Sequence, residues 1–88
     1  MTALATVTQA RLLQRRTALR QSLAKGTSMH QAAAARELAE TEAALARIEQ
    51  GRFGRCDGCG GAIGRQRLLA LPAVRLCIEC TSKVHATR

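Results

Sequence analysis

Four cysteines stand in two CxxC pairs, Cys56/Cys59 and Cys77/Cys80, with seventeen residues between them. A two-residue gap lets one tight knuckle aim two sulfurs at a single point. Two knuckles together supply the four soft thiolates that a tetrahedral Zn²⁺ takes. The seventeen residues are then the loop that returns the chain to the metal. Gly58, Gly60 and Gly61 crowd the first pair, as expected where the backbone must visit left-handed angles while amides turn toward sulfur. A pair of disulfides and a thioredoxin-like redox CxxC are the competing uses of such cysteines. Met1 to Ala10 lacks both the early basic cluster and the apolar core of a secretory signal, which places the chain in a reducing cytoplasm where disulfides are rare. A redox site needs only one CxxC, opening a helix in a βαβ setting that this pattern does not offer. The expectation is one structural zinc held by Cys56, Cys59, Cys77 and Cys80.

A chain of 88 residues with one Phe and no Trp or Tyr buries only a thin core, so a metal staple is what it needs. No apolar run reaches membrane-spanning length, and Ala32 to Ala35 is too short to count. A soluble protein with no membrane partner is expected.

Thr2 to Ala24 is rich in Ala, Leu, Arg and Gln without Gly or Pro, and reads as helix. Leu12, Leu19 and Leu23 fall on one face. Lys25-Gly26-Thr27-Ser28 interrupts, with Gly26 suited to a left-handed helix end and Thr27 or Ser28 to an N-cap. The second helix carries a cleaner stripe, Ala34, Leu38, Thr41, Leu45 and Ile48, at coiled-coil spacings. Gly51 and Gly54 end it. Two helices of matched length joined by a short connection predict an antiparallel hairpin. Charge agrees with the pairing. Residues 1–25 hold Arg11, Arg15, Arg16, Arg20 and Lys25 and no acid, whereas residues 36–50 hold Glu37, Glu40, Glu42 and Glu49 against Arg36 and Arg47. The predicted architecture is mainly α: a helical hairpin (coiled coil) over residues 1–50 with its tip near 25–30, then a small C4 zinc finger over 51–88. Within the finger, Arg65 to Ala70 is expected to form one helical turn before Pro72, and Thr81 to Arg88 a short C-terminal helix.

No catalytic constellation is present: no Ser/His/Asp set, no phosphate-cradling glycine loop and no paired carboxylates. A C4 site is closed, with no open position for water, so the metal is structural and the protein is not an enzyme. His30 and His85 read as solvated, since four cysteines already saturate the ion. Phe53, the only aromatic, reads as packing at the joint between hairpin and finger. A net charge of +8 attracts polyanions generally. The basic first helix therefore reads equally as a phosphate track, which would make the chain a zinc-ribbon nucleic-acid-binding module, or as a solvated face paired with the acidic helix. Arg52, Arg55, Arg65, Arg67 and Arg75 offset the −2 of a zinc tetrathiolate.

The run Ile48-Glu49-Gln50-Gly51-Arg52-Phe53-Gly54-Arg55-Cys56, followed by Asp57-Gly58-Cys59-Gly60, Ile63-Gly64, Arg67-Leu68, Ala70, Pro72 and Cys77-Ile78-Glu79-Cys80, resembles the signature of the DksA/TraR zinc-finger family. The resemblance covers residues 45–83 closely. It implies a bacterial transcription regulator that binds RNA polymerase as a monomer without sequence-specific DNA contact. In that picture the coiled coil enters the secondary channel, the finger docks near its rim, and initiation is modulated. Two departures are visible. DksA-like tips carry two aspartates in a DxxDxA pattern and TraR-like members carry acids near the N-terminus, whereas Lys25 to Ala32 and Met1 to Ala10 have no acid. Where members that respond to guanosine tetraphosphate carry basic residues, this chain aligns Ala33, Glu40, Leu71 and Thr81. The resemblance therefore implies weak or absent co-binding of that alarmone.

Overall fold

The stripe that the sequence lays along its first fifty residues is what brings two helices together. The computed structural model describes residues 3–26 and 31–86. It contains α1 (Ala3–Ala24), α2 (Gln31–Glu49), α3 (Arg65–Ala70) and α4 (Ile78–Ala86), with no strand among the described residues beyond an isolated antiparallel bridge, Arg55 to Ala62. Leu12 packs with Ala44, Leu45 and Ile48 in one buried cluster. Nearer the tip, the Gln31 side chain donates to the Leu23 carbonyl at 3.4 Å. As α1 is followed backwards α2 is followed forwards, so the pair is antiparallel. Thr41, Leu45 and Ile48 of the expected stripe are buried, while Ala34, Leu38 and Leu23, closer to the tip, are half-buried. The seam on α1 runs further toward the N-terminus than its leucines indicate, through Ala5 and Thr8.

Both hairpin helices end on glycine. Gly26 has φ +72° and Gly51 φ +75°. At the second, the Gly51 N–H donates to the Ile48 carbonyl at 3.1 Å and the Arg52 N–H to the Arg47 carbonyl at 2.9 Å. This is the paired closure of a Schellman motif, in which a left-handed residue lets the chain turn back over the last helical carbonyls. The expected caps at Thr27 and Ser28, and His30, lie outside the described residues.

Opposite charges lace the two helices. Arg15 meets Glu37 through two bonds, Nε to Oε2 at 2.6 Å and Nη2 to Oε1 at 2.8 Å, and Arg20 Nη2 reaches Glu42 Oε2 at 2.7 Å. Both pairs are about half exposed. The finger lies to the side of the hairpin's base. A 22-residue helix spans about 33 Å, which accounts for one long dimension of the 39 × 37 × 20 Å outline. The finger supplies the other. Phe53 packs against the hairpin cluster and also against the finger cluster of Cys56, Ile63 and Leu68, which Leu4 of α1 joins. The joint is therefore apolar, and the ring sits where the sequence places it. No described helix is long and apolar enough to cross a membrane.

Thr8 is only 1 % exposed, and its hydroxyl has no hydrogen-bond partner among the described residues. Thr8→Val removes a buried unpaired polar group while keeping the shape, and should raise stability by about 1 kcal/mol, read as a higher melting temperature by circular dichroism. Arg15 holds the Glu37 carboxyl below its ordinary pKa, chiefly through their hydrogen bonds. A folded-state value below the unfolded one contributes stability above the unfolded pKa and loses it as pH falls through the folded one. Glu37→Gln should accordingly cost about 0.2 to 1 kcal/mol at neutral pH, the range of an exposed pair. In melts at acid pH, where Glu37 is protonated, the difference from wild type should vanish.

Candidate metal centre

A turn of glycines and a helix start converge to build the cysteine cluster. The first pair lies in a loop closed by three backbone bonds: Cys56 N–H to the Gly61 carbonyl at 2.8 Å, Gly60 N–H to the Cys56 carbonyl at 2.9 Å, and Ile63 N–H to the Gly54 carbonyl at 2.9 Å. The second pair opens α4, three residues earlier than the sequence suggests. Cys77 precedes the first helical residue, and its sulfur accepts the Cys80 N–H at 3.4 Å, standing where Ser or Asp oxygen ordinarily caps a helix. The two halves are tied by the Asp57 N–H, which donates to the Arg75 carbonyl at 2.8 Å. Arg67 braces the returning loop, with Nε bonded to the Leu76 carbonyl at 3.0 Å and Nη2 to Thr81 Oγ1 at 3.1 Å.

The sulfurs of Cys56, Cys59, Cys77 and Cys80 all lie within 4.8 Å of one another, and none is in a disulfide. Cys59 Sγ and Cys77 Sγ are 3.9 Å apart. A tetrahedron with Zn–S bonds of about 2.3 Å has edges of about 3.8 Å, so the spacing fits one zinc ion. Amides aim at the sulfurs as well. Cys56 Sγ accepts the N–H groups of Gly58 and Cys77, each at 3.3 Å, and the N-terminal end of α4 adds its own positive potential.

The Cys77 N–H, joined by those of Cys59 and Gly58, holds the Cys56 thiol down to about 6, against the opposing effect of burial. Sharing its proton with Cys56 and then Cys77 pushes Cys80 up to about 12. One thiolate forms readily and its crowded neighbour resists. A divalent cation removes that resistance, because it replaces the shared proton with a charge that satisfies all four sulfurs.

Two features of the site differ from the sequence expectation. Of the three glycines at the first knuckle, only Gly60 has positive φ, +76°. Gly58 is required for space: a Cβ there would lie 2.9 Å from Cys80 Sγ and 3.2 Å from Cys80 Cβ. Arg47, which reads in sequence as an ordinary helix charge, is buried at 8 % exposure. Burial pushes its guanidinium down from its ordinary pKa, with Asp57 opposing.

A helical hairpin bearing a cluster of four thiols defines a C4-type zinc-finger protein. Residues 51–84 match the prokaryotic dksA/traR C4-type zinc finger. Over 39 residues the chain is 49 % identical to the RNA polymerase-binding transcription factor DksA of Haemophilus influenzae, covering 44 % of this chain and 27 % of that protein. It is 43 % identical over 48 residues to an uncharacterized protein of Aquifex aeolicus, covering 54 % of this chain and 33 % of that one. The matches thus span a third or less of these relatives' length. The fold likeness extends much further. The structure of the RNA polymerase binding protein and transcriptional regulator Dks from Chlamydia trachomatis superimposes with a TM-score of 0.78 at 25 % identity, covering 99 % of this chain and 94 % of that one.

The two glycine roles separate in a metal-competition titration. Gly58→Ala should give up its metal to a chelator at lower chelator concentration than wild type, because the new methyl displaces a ligand sulfur. Gly60→Ala meets no atom within 4 Å and should cost about 1 kcal/mol of backbone strain. Its chelator competition should stay near that of wild type.

Proposed function

We propose that this chain is a non-enzymatic, zinc-dependent transcription regulator that binds bacterial RNA polymerase through the secondary channel and modulates initiation. Cys56, Cys59, Cys77 and Cys80 are its proposed zinc ligands, and the closed C4 shell gives the metal a structural task. The chain divides at about residue 50 into a hairpin that enters the channel and a finger, 51–88, that docks near the rim. It acts as a cytoplasmic monomer without sequence-specific DNA contact. The observation that carries this reading is the whole-chain likeness to the Chlamydia trachomatis RNA polymerase binding protein, joined to the finger match over residues 51–84.

Two further observations refine it. Ala33, Glu40, Leu71 and Thr81, the positions at which the resemblance expects alarmone-binding cations, line a single groove of about 850 Å³ between α2 and the loop after α3. None of the four is basic, which supports little or no co-binding of guanosine tetraphosphate, although Arg36, Arg47 and Arg75 also line that groove. The alternative of a nucleic-acid-binding module loses part of its footing on α1. Arg15 and Arg20 are engaged by glutamates, and Arg11 donates to the Leu69 carbonyl at 2.9 Å.

In vitro transcription from a stable-RNA promoter with purified polymerase tests the reading. The zinc-loaded protein should bind core polymerase, compete with other secondary-channel factors and change transcript yield, with no added effect of the alarmone. Failure to bind core polymerase, together with DNA binding that falls steeply with salt, would defeat it in favour of the nucleic-acid module.

A further inference from the structure

Arg47 is a charged side chain that the fold takes out of water, and every partner it reaches belongs to the finger. It sits on the last turn of α2, with its own carbonyl closing the Schellman turn. Its Nη2 donates to the carbonyl oxygens of Ala73 at 3.1 Å and Val74 at 3.4 Å. Its Nη1 stands 4.0 Å from Asp57 Oδ2. Ala73 and Val74 lie in the loop that leads to Cys77, and Asp57 follows Cys56 directly. One guanidinium therefore touches both halves of the cysteine loop.

The charges around it are unbalanced. A carboxylate at 4.0 Å is too distant for a hydrogen bond, and Asp57 is shared with Arg52, whose Nη1 lies 3.7 Å from Oδ1. The geometry of the acceptors depends on the same closure. The Ala73 and Val74 carbonyls and Asp57 hold their mutual positions because the Asp57 N–H bonds the Arg75 carbonyl and the Cys77 N–H bonds Cys56 Sγ.

From these contacts we propose that Arg47 is a metal-coupled positioning residue. It fixes the direction of the hairpin relative to the finger, and it does so only while the cysteine loop is closed around its ion. Hairpin orientation thereby follows the metal load of the finger. This rests on the four cysteines holding a cation and is independent of which macromolecule the hairpin enters.

The test uses the full chain loaded with zinc, compared with Arg47→Gln and Arg47→Lys. Metal content and the tetrahedral thiolate bands of cobalt-substituted protein report the centre. Backbone residual dipolar couplings report the orientation of α1 and α2 against α4. In wild type with zinc, one alignment tensor should fit both parts. With Arg47→Gln, metal content and cobalt bands should be retained while the two parts require separate tensors, and amide exchange around Gly51 to Gly54 should rise severalfold. Zinc removal from wild type should produce the same uncoupling. A single tensor for metal-loaded Arg47→Gln, or for zinc-stripped wild type that remains helical, overturns the proposal. Should Arg47→Gln fail to fold, Arg47→Lys carries the test, because a lysine reaches a carbonyl but does not span to Asp57. Uncoupling in that folded variant supports the proposal, and one tensor overturns it. Polymerase binding is not a readout, so failure here and failure of the functional reading are distinguishable.

Discussion

Mutual repulsion among four gathered sulfurs is the constraint on which the rest of this structure turns. A chain with one aromatic side chain cannot bury enough apolar area to hold residues 51–86 in a fixed shape. The loop instead brings its cysteines to within 4.8 Å of one another, an arrangement that costs free energy unless a cation neutralises it. Every other element of the finger serves that closure. The glycine knuckle leaves room for Cys80, the start of α4 turns a sulfur into a cap, and Arg67 braces the returning loop. Metal and backbone are thus parts of one folding unit.

The hairpin is organised by a different economy. Its buried seam holds Ala5, Thr8, Thr41 and Ala44 beside Leu12, Leu19, Leu45 and Ile48, so small side chains make up half of these positions. Exposed ion pairs such as Arg15–Glu37 contribute little each, yet their sign pattern favours pairing of α1 with α2 over pairing of like-charged helices. A net charge of +8 is consequently distributed unevenly. The arginines of α1 are partly answered by α2, and in the finger Arg52 faces Asp57 while Arg67 bonds the loop before Cys77.

How far the sequence could be read depended on the kind of signal. Leu12, Leu19, Leu45 and Ile48 were legible because large aliphatic side chains at helical spacing have few other uses. Ala5 and Thr8 extend the same seam unseen, since neither residue type declares itself buried. The cysteine spacing announced the centre and Phe53 the joint. The start of α4 at Ile78 was obscured because cysteine is not among the usual capping residues. Arg47 was illegible for a related reason: a charge on an amphipathic helix is ordinarily solvated, and only the folded loop shows the carbonyls waiting for it. Gly58 is needed for space and not for a left-handed angle. Pattern reveals that a glycine is needed, and only coordinates show that a sulfur occupies the place of its missing methyl.

The ring of Phe53 belongs to two cores at once. Two clusters that share a side chain are linked in stability, because loosening either one exposes part of the ring to water. Losing the ion would then loosen the base of the hairpin and open it to proteases, even though those helices touch no ligand sulfur at all.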